Sequence, residues 1–172
     1  AKAKIPFTLA TGAMTSMEKI AQEAGPGVGG RLWFQLYVWN RRELSYQLIE
    51  RANRAGFEAL IVTVDTIVPP NREYNTHNGF LLPFTPNVTF TLDIMRHPVW
   101  FTNVLMKYFT TIGMLRNENY PDGYRRMARN DPTTTEMTRQ DTLNWDDIRI
   151  FREKWPGILM IKGINRPDDA LK

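Results

Sequence analysis

Four short apolar runs, each closed off by turn residues, constrain this chain most: Ile5-Pro6-Phe7-Thr8-Leu9, Leu32-Trp33-Phe34-Gln35-Leu36-Tyr37-Val38, Ala59-Leu60-Ile61-Val62-Thr63-Val64-Asp65 and Ile158-Leu159-Met160-Ile161-Lys162. Runs this short and nearly continuous read as parallel strands buried on both faces. Parallel neighbours need a crossover, usually a helix, and the segments between the runs carry helical patterns. Thr15 and Glu18 form a capping box for a short helix. Leu44, Leu48, Ile49, Ala52 and Ala55 recur at helical spacing until Gly56 stops a second helix. Asn144 caps a third, with Asp146 and Asp147 in its first turn and Ile148, Phe151 and Trp155 on its buried side.

The order is strand, helix, strand, helix, strand, long insertion, helix, strand. That alternation predicts a right-handed parallel α/β sheet, either doubly wound or closed as a barrel. Gly27, Gly29 and Gly30 precede a strand instead of opening a helix after one, so the dinucleotide fingerprint is absent and a barrel is the better reading. A complete eight-stranded barrel takes about 250 residues. With 172 residues and a further helix starting at Asn165 and Pro167 just before Lys172, a portion of one is expected.

Composition narrows the chemistry. There is no cysteine, which excludes disulfides, thiolate metal sites and cysteine nucleophiles; a reducing compartment fits, and no metal site is expected. The net charge of +4 comes from scattered lysines and arginines, with no basic helix or aromatic-interleaved strip, so nucleic acid is not an expected partner. No apolar run approaches the roughly 20 residues of a membrane-spanning helix. No signal sequence is read in the first residues.

In a parallel barrel, functional side chains stand at the carboxyl ends of strands, and residues two apart share a face. Those ends carry Gln35 and Tyr37, Thr63 and Asp65, and Lys162. A buried polar group left unpaired costs about 1–3 kcal/mol. These groups must therefore bond one another and nearby loops, or a polar ligand above the barrel.

The segments Trp33-Phe34-Gln35-Leu36-Tyr37-Val38, Val62-Thr63-Val64-Asp65-Thr66 with Asn71-Arg72-Glu73, Asn144-Trp145-Asp146-Asp147, and Ile161-Lys162-Gly163, in this order and spacing, closely resemble the FMN-dependent 2-hydroxy acid dehydrogenases and oxidases. The resemblance covers essentially the whole chain, 1–172, and the insertion is more similar to that of the mandelate and membrane-bound lactate dehydrogenases than to that of glycolate oxidase. It implies the second to fifth strands of a TIM (β/α)8 barrel, with the insertion following the fourth barrel strand. It further implies that Gln35 and Thr63 bond the pyrimidine edge of FMN and that Lys162 sits near N1 and the C2 carbonyl, where a cation favours negative charge on the reduced ring. Tyr37 would donate to the substrate, and Arg72 would pair with its carboxylate through a bidentate fork.

Asp65 would support the imidazolium formed when a histidine takes the substrate proton. In the family that histidine lies beyond the sixth strand; His77 and His97 are read as loop or surface residues. The second carboxylate-binding arginine and the FMN-phosphate loops also belong to the later strands. Two positions depart from the pattern. Ala10 stands where serine is common, leaving backbone contacts to the flavin, and Gly12 replaces a residue that is bulky in glycolate oxidase. The small residue either makes room for a large or aromatic substrate side chain or is a plain turn glycine.

By resemblance, the parent enzyme oxidises a mandelate- or lactate-like 2-hydroxy acid to the 2-keto acid and passes electrons through FMN to a quinone-type acceptor. The alternatives are an oxidase that uses oxygen and a non-catalytic half-barrel. The full-length protein is expected to be a cytoplasmic homo-oligomer, peripheral on the inner face of the cell membrane, and the present chain alone incomplete and inactive.

Residues 66–140 are too long for an ordinary loop. Pro98 is expected to open a helix with Phe101, Val104, Leu105, Tyr108 and Phe109 on one face and Trp100 beside it. From Ile94 to Asn117 there is no carboxylate, while Arg96, Lys107 and Arg116 are present. An interfacial helix on an anionic membrane has this composition, and a stripe packed on the barrel or a neighbouring subunit would look the same. Asn87-Val88-Thr89 matches a glycosylation sequon and is read as chance.

Overall fold

A computed structural model describes residues 5–65, 73–78, 88–111, 113, 116–122, 124–125 and 143–171. Strands β1 (Phe7–Ala10), β2 (Leu32–Tyr37), β3 (Ala59–Thr63) and β4 (Ile158–Lys162) form one parallel sheet in the order β1-β2-β3-β4. Each strand is added on the same side as the one before. A doubly wound sheet reverses direction at a switch point, whereas a barrel winds onward without one, so this order is that of a barrel segment.

The connections follow from local sequence. Helix α1 (Met17–Ala24) is capped by Ser16, whose side chain accepts from the Lys19 backbone N–H. The cap therefore falls on Ser16, one residue after the expected Thr15, with Lys19 and not an acid at the third helical position. Glu18, the proposed partner of Thr15, is drawn away to Arg51, whose Nε and Nη2 reach its two oxygens at 2.5 and 2.7 Å. Helix α2 (Arg42–Arg54) buries Leu44, Leu48, Ile49 and Ala52, and Gly56 follows at φ +82°, a left-handed turn suited to glycine. In chain order α3 (Glu73–His77), α4 (Val88–Arg96), α5 (Pro98–Trp100), a π-helical stretch (Phe101–Met106) and α6 (Lys107–Thr111) belong to the insertion. Helix α7 (Trp145–Lys154) has a reciprocal capping box. Asn144 Oδ1 accepts from the N–H groups of Asp146 and Asp147, and the Asp147 carboxylate accepts from the Asn144 N–H. Arg42 also grips Asp147 through Nε at 3.1 Å and Nη2 at 3.3 Å, tying the starts of α2 and α7 together.

Burial alternates along β2: Leu32, Phe34 and Leu36 are buried, while Trp33, Gln35 and Tyr37 are less so. The buried face packs on the helices with Leu60, Val62, Met17, Leu48, Ile49, Phe151 and Trp155, as the helical spacing predicts. The other face, which in a barrel looks inward, carries the polar strand ends. The insertion differs in part from expectation. Pro98 opens a helix as expected, and helical structure continues from it to Thr111, but it widens to a π-helix through Phe101–Met106, and a further helix, α4, precedes it and is separated from it at His97. Proline ends the preceding helix because it lacks an N–H to continue the ladder.

Candidate active site at the carboxyl ends of the strands

Parallel register sets Ala10, Gln35, Ile61 and Met160 in one row across the sheet, and Tyr37, Thr63 and Lys162 in the next. The period of two along each strand puts both rows on one face. Of the positions read from sequence, Ala10, Gln35, Tyr37, Thr63 and Lys162 are thus brought together, with Asp65 two residues beyond the end of β3. Gln35 Nε2 donates to Thr63 Oγ1 at 3.0 Å and to Tyr37 Oη at 3.3 Å. Lys162 Nζ donates to Asp65 Oδ2 at 2.7 Å. The polar strand ends therefore satisfy one another, but on the open side of the sheet: Lys162 and Asp65 have side chains 49% and 34% exposed. The lysine hydrogen bond holds the Asp65 carboxyl below its ordinary range, outweighing the opposite effect of desolvation. Asp65 is an anion through the neutral range.

Arg72 lies outside the described residues. His77 and His97 are both exposed, His77 on α3 and His97 with Nδ1 2.9 Å from the Asp93 carbonyl. Among the described residues no cluster of His, Asp and Glu could hold a metal ion.

Three features escaped the sequence reading. Thr11 is fully buried, and its hydroxyl donates to the Gln35 carbonyl at 2.8 Å and accepts from the Tyr37 N–H at 3.0 Å, locking the β1 end to β2 beneath the site. Gly163 has φ +106°, and a Cβ there would lie 2.5 Å from Asp65 Cβ and 2.9 Å from its backbone N. Only glycine lets β4 turn away this close to Asp65; the motif contained this glycine without showing why. Gly163→Ala in the full-length protein should cost about 1–3 kcal/mol in a urea melt, as other strained backbone positions do. An unchanged midpoint would show that the close approach has no energetic weight.

The third feature is the return of the insertion. Asn119, 1% exposed, accepts from the Met17 N–H at 2.9 Å and donates to the Thr15 carbonyl at 3.2 Å. Glu118 N–H reaches the Ala13 carbonyl at 3.1 Å, and the Tyr120 ring meets Trp39 edge-on at 5.1 Å. These contacts fasten the segment over the turn after β1, next to Gly12. No local apolar pattern announces it, because hydrogen bonds made across more than a hundred residues do the anchoring.

Comparison with known proteins follows the same lines. Residues 1–172 match the family described as FMN-dependent dehydrogenase. (S)-Mandelate dehydrogenase of Pseudomonas putida is 31% identical over 169 residues, covering 98% of this chain and 40% of that protein. L-Lactate dehydrogenase of Pseudomonas aeruginosa is 32% identical over 173 residues, covering 96% and 42%. The crystal structure of the monotopic membrane protein (S)-mandelate dehydrogenase superposes with a TM-score of 0.77 at 29% identity, over 98% of this chain and 43% of that one. The chain thus spans about two fifths of the length of these relatives.

Proposed function

This chain belongs to the FMN-dependent dehydrogenase family, and from that premise we propose that its parent protein oxidises a mandelate- or lactate-like 2-hydroxy acid to the 2-keto acid and delivers the electrons to a quinone-type acceptor. The observation that carries this reading is the convergence of Gln35, Tyr37, Thr63 and Lys162 on one sheet face, with Asp65 paired to Lys162. That donor set suits a flavin pyrimidine edge. The Gln35 amide both donates and accepts, the Thr63 hydroxyl can do either, and Lys162 offers a positive charge. When bound, FMN supplies the acceptor for the two electrons leaving the substrate.

The chain's own residues do the rest. Gln35 and Thr63 orient the ring, and their mutual hydrogen bond holds both side chains ready for it. Lys162 would supply a positive charge beside the bound ring, favouring its electron-rich reduced form. Tyr37 Oη donates to the substrate, and Arg72, assigned from sequence alone, clamps its carboxylate. Asp65, kept ionised by Lys162, can steady a cationic imidazole that has taken the substrate proton.

The full-length protein, purified, is expected to carry FMN, to bleach on anaerobic addition of (S)-mandelate or L-lactate, and to reoxidise faster with a short-chain quinone than with oxygen in stopped flow. Faster reoxidation by oxygen would make it an oxidase. Failure to bind FMN at all would overturn the proposal.

We also place the parent protein peripherally on an anionic membrane. Through α4–α6 none of the described residues is buried, and Met95, Val99, Trp100, Val104 and Phe109 are exposed beside Arg96 and Lys107. This favours an interfacial role over packing on the barrel. Among the described residues no helix is long and apolar enough to cross a bilayer. Apolar side chains would enter the headgroup boundary, and each basic residue adds about 1 kcal/mol near anionic lipid. Replacing residues 94–117 by a short polar loop should abolish flotation with anionic liposomes at low salt while flavin content persists. Equal flotation of the two forms would sink the membrane assignment.

A further inference from the structure

Strand β1 leaves the sheet before β2 ends, and one buried side chain fills the gap. The Thr11 N–H continues the parallel ladder to the Gln35 carbonyl at 3.0 Å. A regular ladder would return the next bond from the Tyr37 N–H to the Thr11 carbonyl. Instead the chain turns, with the Ala13 N–H on the Ala10 carbonyl at 3.0 Å, and the Tyr37 N–H finds the Thr11 hydroxyl at 3.0 Å. The hydroxyl's own hydrogen goes to the Gln35 carbonyl at 2.8 Å. We propose that Thr11 is a positioning residue: its hydroxyl completes the ladder on the β1 side of Tyr37 and so holds the Tyr37 phenol where it meets the substrate. The inference rests on the function proposed above, in which Tyr37 donates to the substrate, and adds a residue whose own side chain is out of a ligand's reach.

Thr11 is fully buried and its hydroxyl has one hydrogen, already given to Gln35, so the side chain acts through its neighbours. Tyr37 is the last residue of β2, and its register partner on β3 is Thr63, so the strand end is held from that side. Pairing with β1 ends at Ala10 and Gln35, two residues earlier. The Thr11 hydroxyl supplies the hold on the other side. The phenol then stands on the site face, where Gln35 Nε2 donates to its Oη at 3.3 Å. Gln35 depends less on the hydroxyl, because its carbonyl also accepts from the Thr11 N–H. Removing the hydroxyl therefore loosens the backbone of Tyr37 more than that of Gln35, and the effect should run through the tyrosine.

The test compares the full-length enzyme with Thr11→Ser, Thr11→Val and Thr11→Ala, each in the wild-type and the Tyr37→Phe background. FMN content, melting, and kcat with (S)-mandelate and L-lactate are measured. Misplacing a reacting group by 1 Å costs on the order of 100-fold, and a loosened strand end moves less, so Thr11→Val should lower kcat about tenfold. Thr11→Ser keeps the hydroxyl and should stay within about twofold of wild type. Once Tyr37 has lost its own hydroxyl there is nothing left to position, so in the Tyr37→Phe background Thr11→Val should change kcat by less than about twofold. Thr11→Ala removes the hydroxyl without setting a methyl against the Gln35 carbonyl, which keeps the comparison open if Thr11→Val does not fold. Equal falls in both backgrounds would make Thr11 a packing residue and overturn the proposal. So would an unchanged kcat in a folded, FMN-bearing Val or Ala variant, or loss of the folded flavoprotein in both. A wild type that oxidises neither acid overturns the functional reading, and this inference with it.

Discussion

Replacing Lys162 by Met in the full-length enzyme is expected to lower kcat by about 100- to 1,000-fold, the loss typical when one preorganised group facing developing charge is removed. The methionine fills similar space without a cation, so packing should survive. The substitution has a second readout, because Lys162 is also the main reason the Asp65 carboxyl titrates below its ordinary range. A carboxylate whose folded pKa is depressed contributes stability above its unfolded pKa, and that contribution disappears as pH falls through the folded value. Without Lys162, Asp65 should titrate higher, towards the unfolded value, and the acid-side contribution of the pair should vanish. The pair is partly exposed, so its loss should change neutral-pH stability only slightly. A steep fall in kcat with little change in melting is the expected signature. If kcat drops by less than about fivefold, Lys162 is no more than a surface partner of Asp65.

The strands, the order of winding and the site face were legible because each has a period. Leu32, Phe34 and Leu36 alternate with Trp33, Gln35 and Tyr37, so one look at β2 separates the helix-facing side from the polar side. The spacing of Leu44, Leu48, Ile49 and Ala52 foretold the buried stripe of α2. Caps were legible to within a residue: Asn144 stands where expected, but Ser16 and not Thr15 caps α1, since the ion pair of Glu18 with Arg51 removes the acid that a Thr15 box would need. What could not be read depends on contacts between distant segments. Asn119 looks like any loop asparagine until its two bonds to the start of α1 are seen. The fit of Gly163 against Asp65 likewise joins residues on different strands, and nothing near either one in sequence reports it. The roles of Gln35, Tyr37, Thr63 and Lys162 came from resemblance; pattern alone placed them on one face without saying what they hold.

A polypeptide of residues 1–172 prepared by itself is expected to self-associate and to bind FMN weakly. Among the described residues, β1 pairs only with β2 and β4 only with β3, so each outer edge presents a row of backbone donors and acceptors that a closed barrel would bond. Ile158, on the outermost strand, is 50% exposed, and Ile5, just before β1, and Phe7, its first residue, are exposed as well. The face that looks inward in a barrel carries Trp33, Ile61 and Met160, none of them fully covered. Edges and apolar face together invite pairing with another copy far more strongly than scattered surface hydrophobes would. Flavin binding should suffer in parallel. Gln35, Thr63 and Lys162 can address the ring, but by resemblance the phosphate is held by loops of the later strands, and a ligand held at one end loses much of its affinity. Sedimentation velocity should show heterogeneous oligomers, the thermal melt should be broad, and micromolar FMN should remain unquenched in a fluorescence titration. A monodisperse monomer with a sharp cooperative melt would mean that the open edges are covered in a way the four-stranded sheet does not reveal. Tight stoichiometric FMN binding would mean that ring contacts alone suffice.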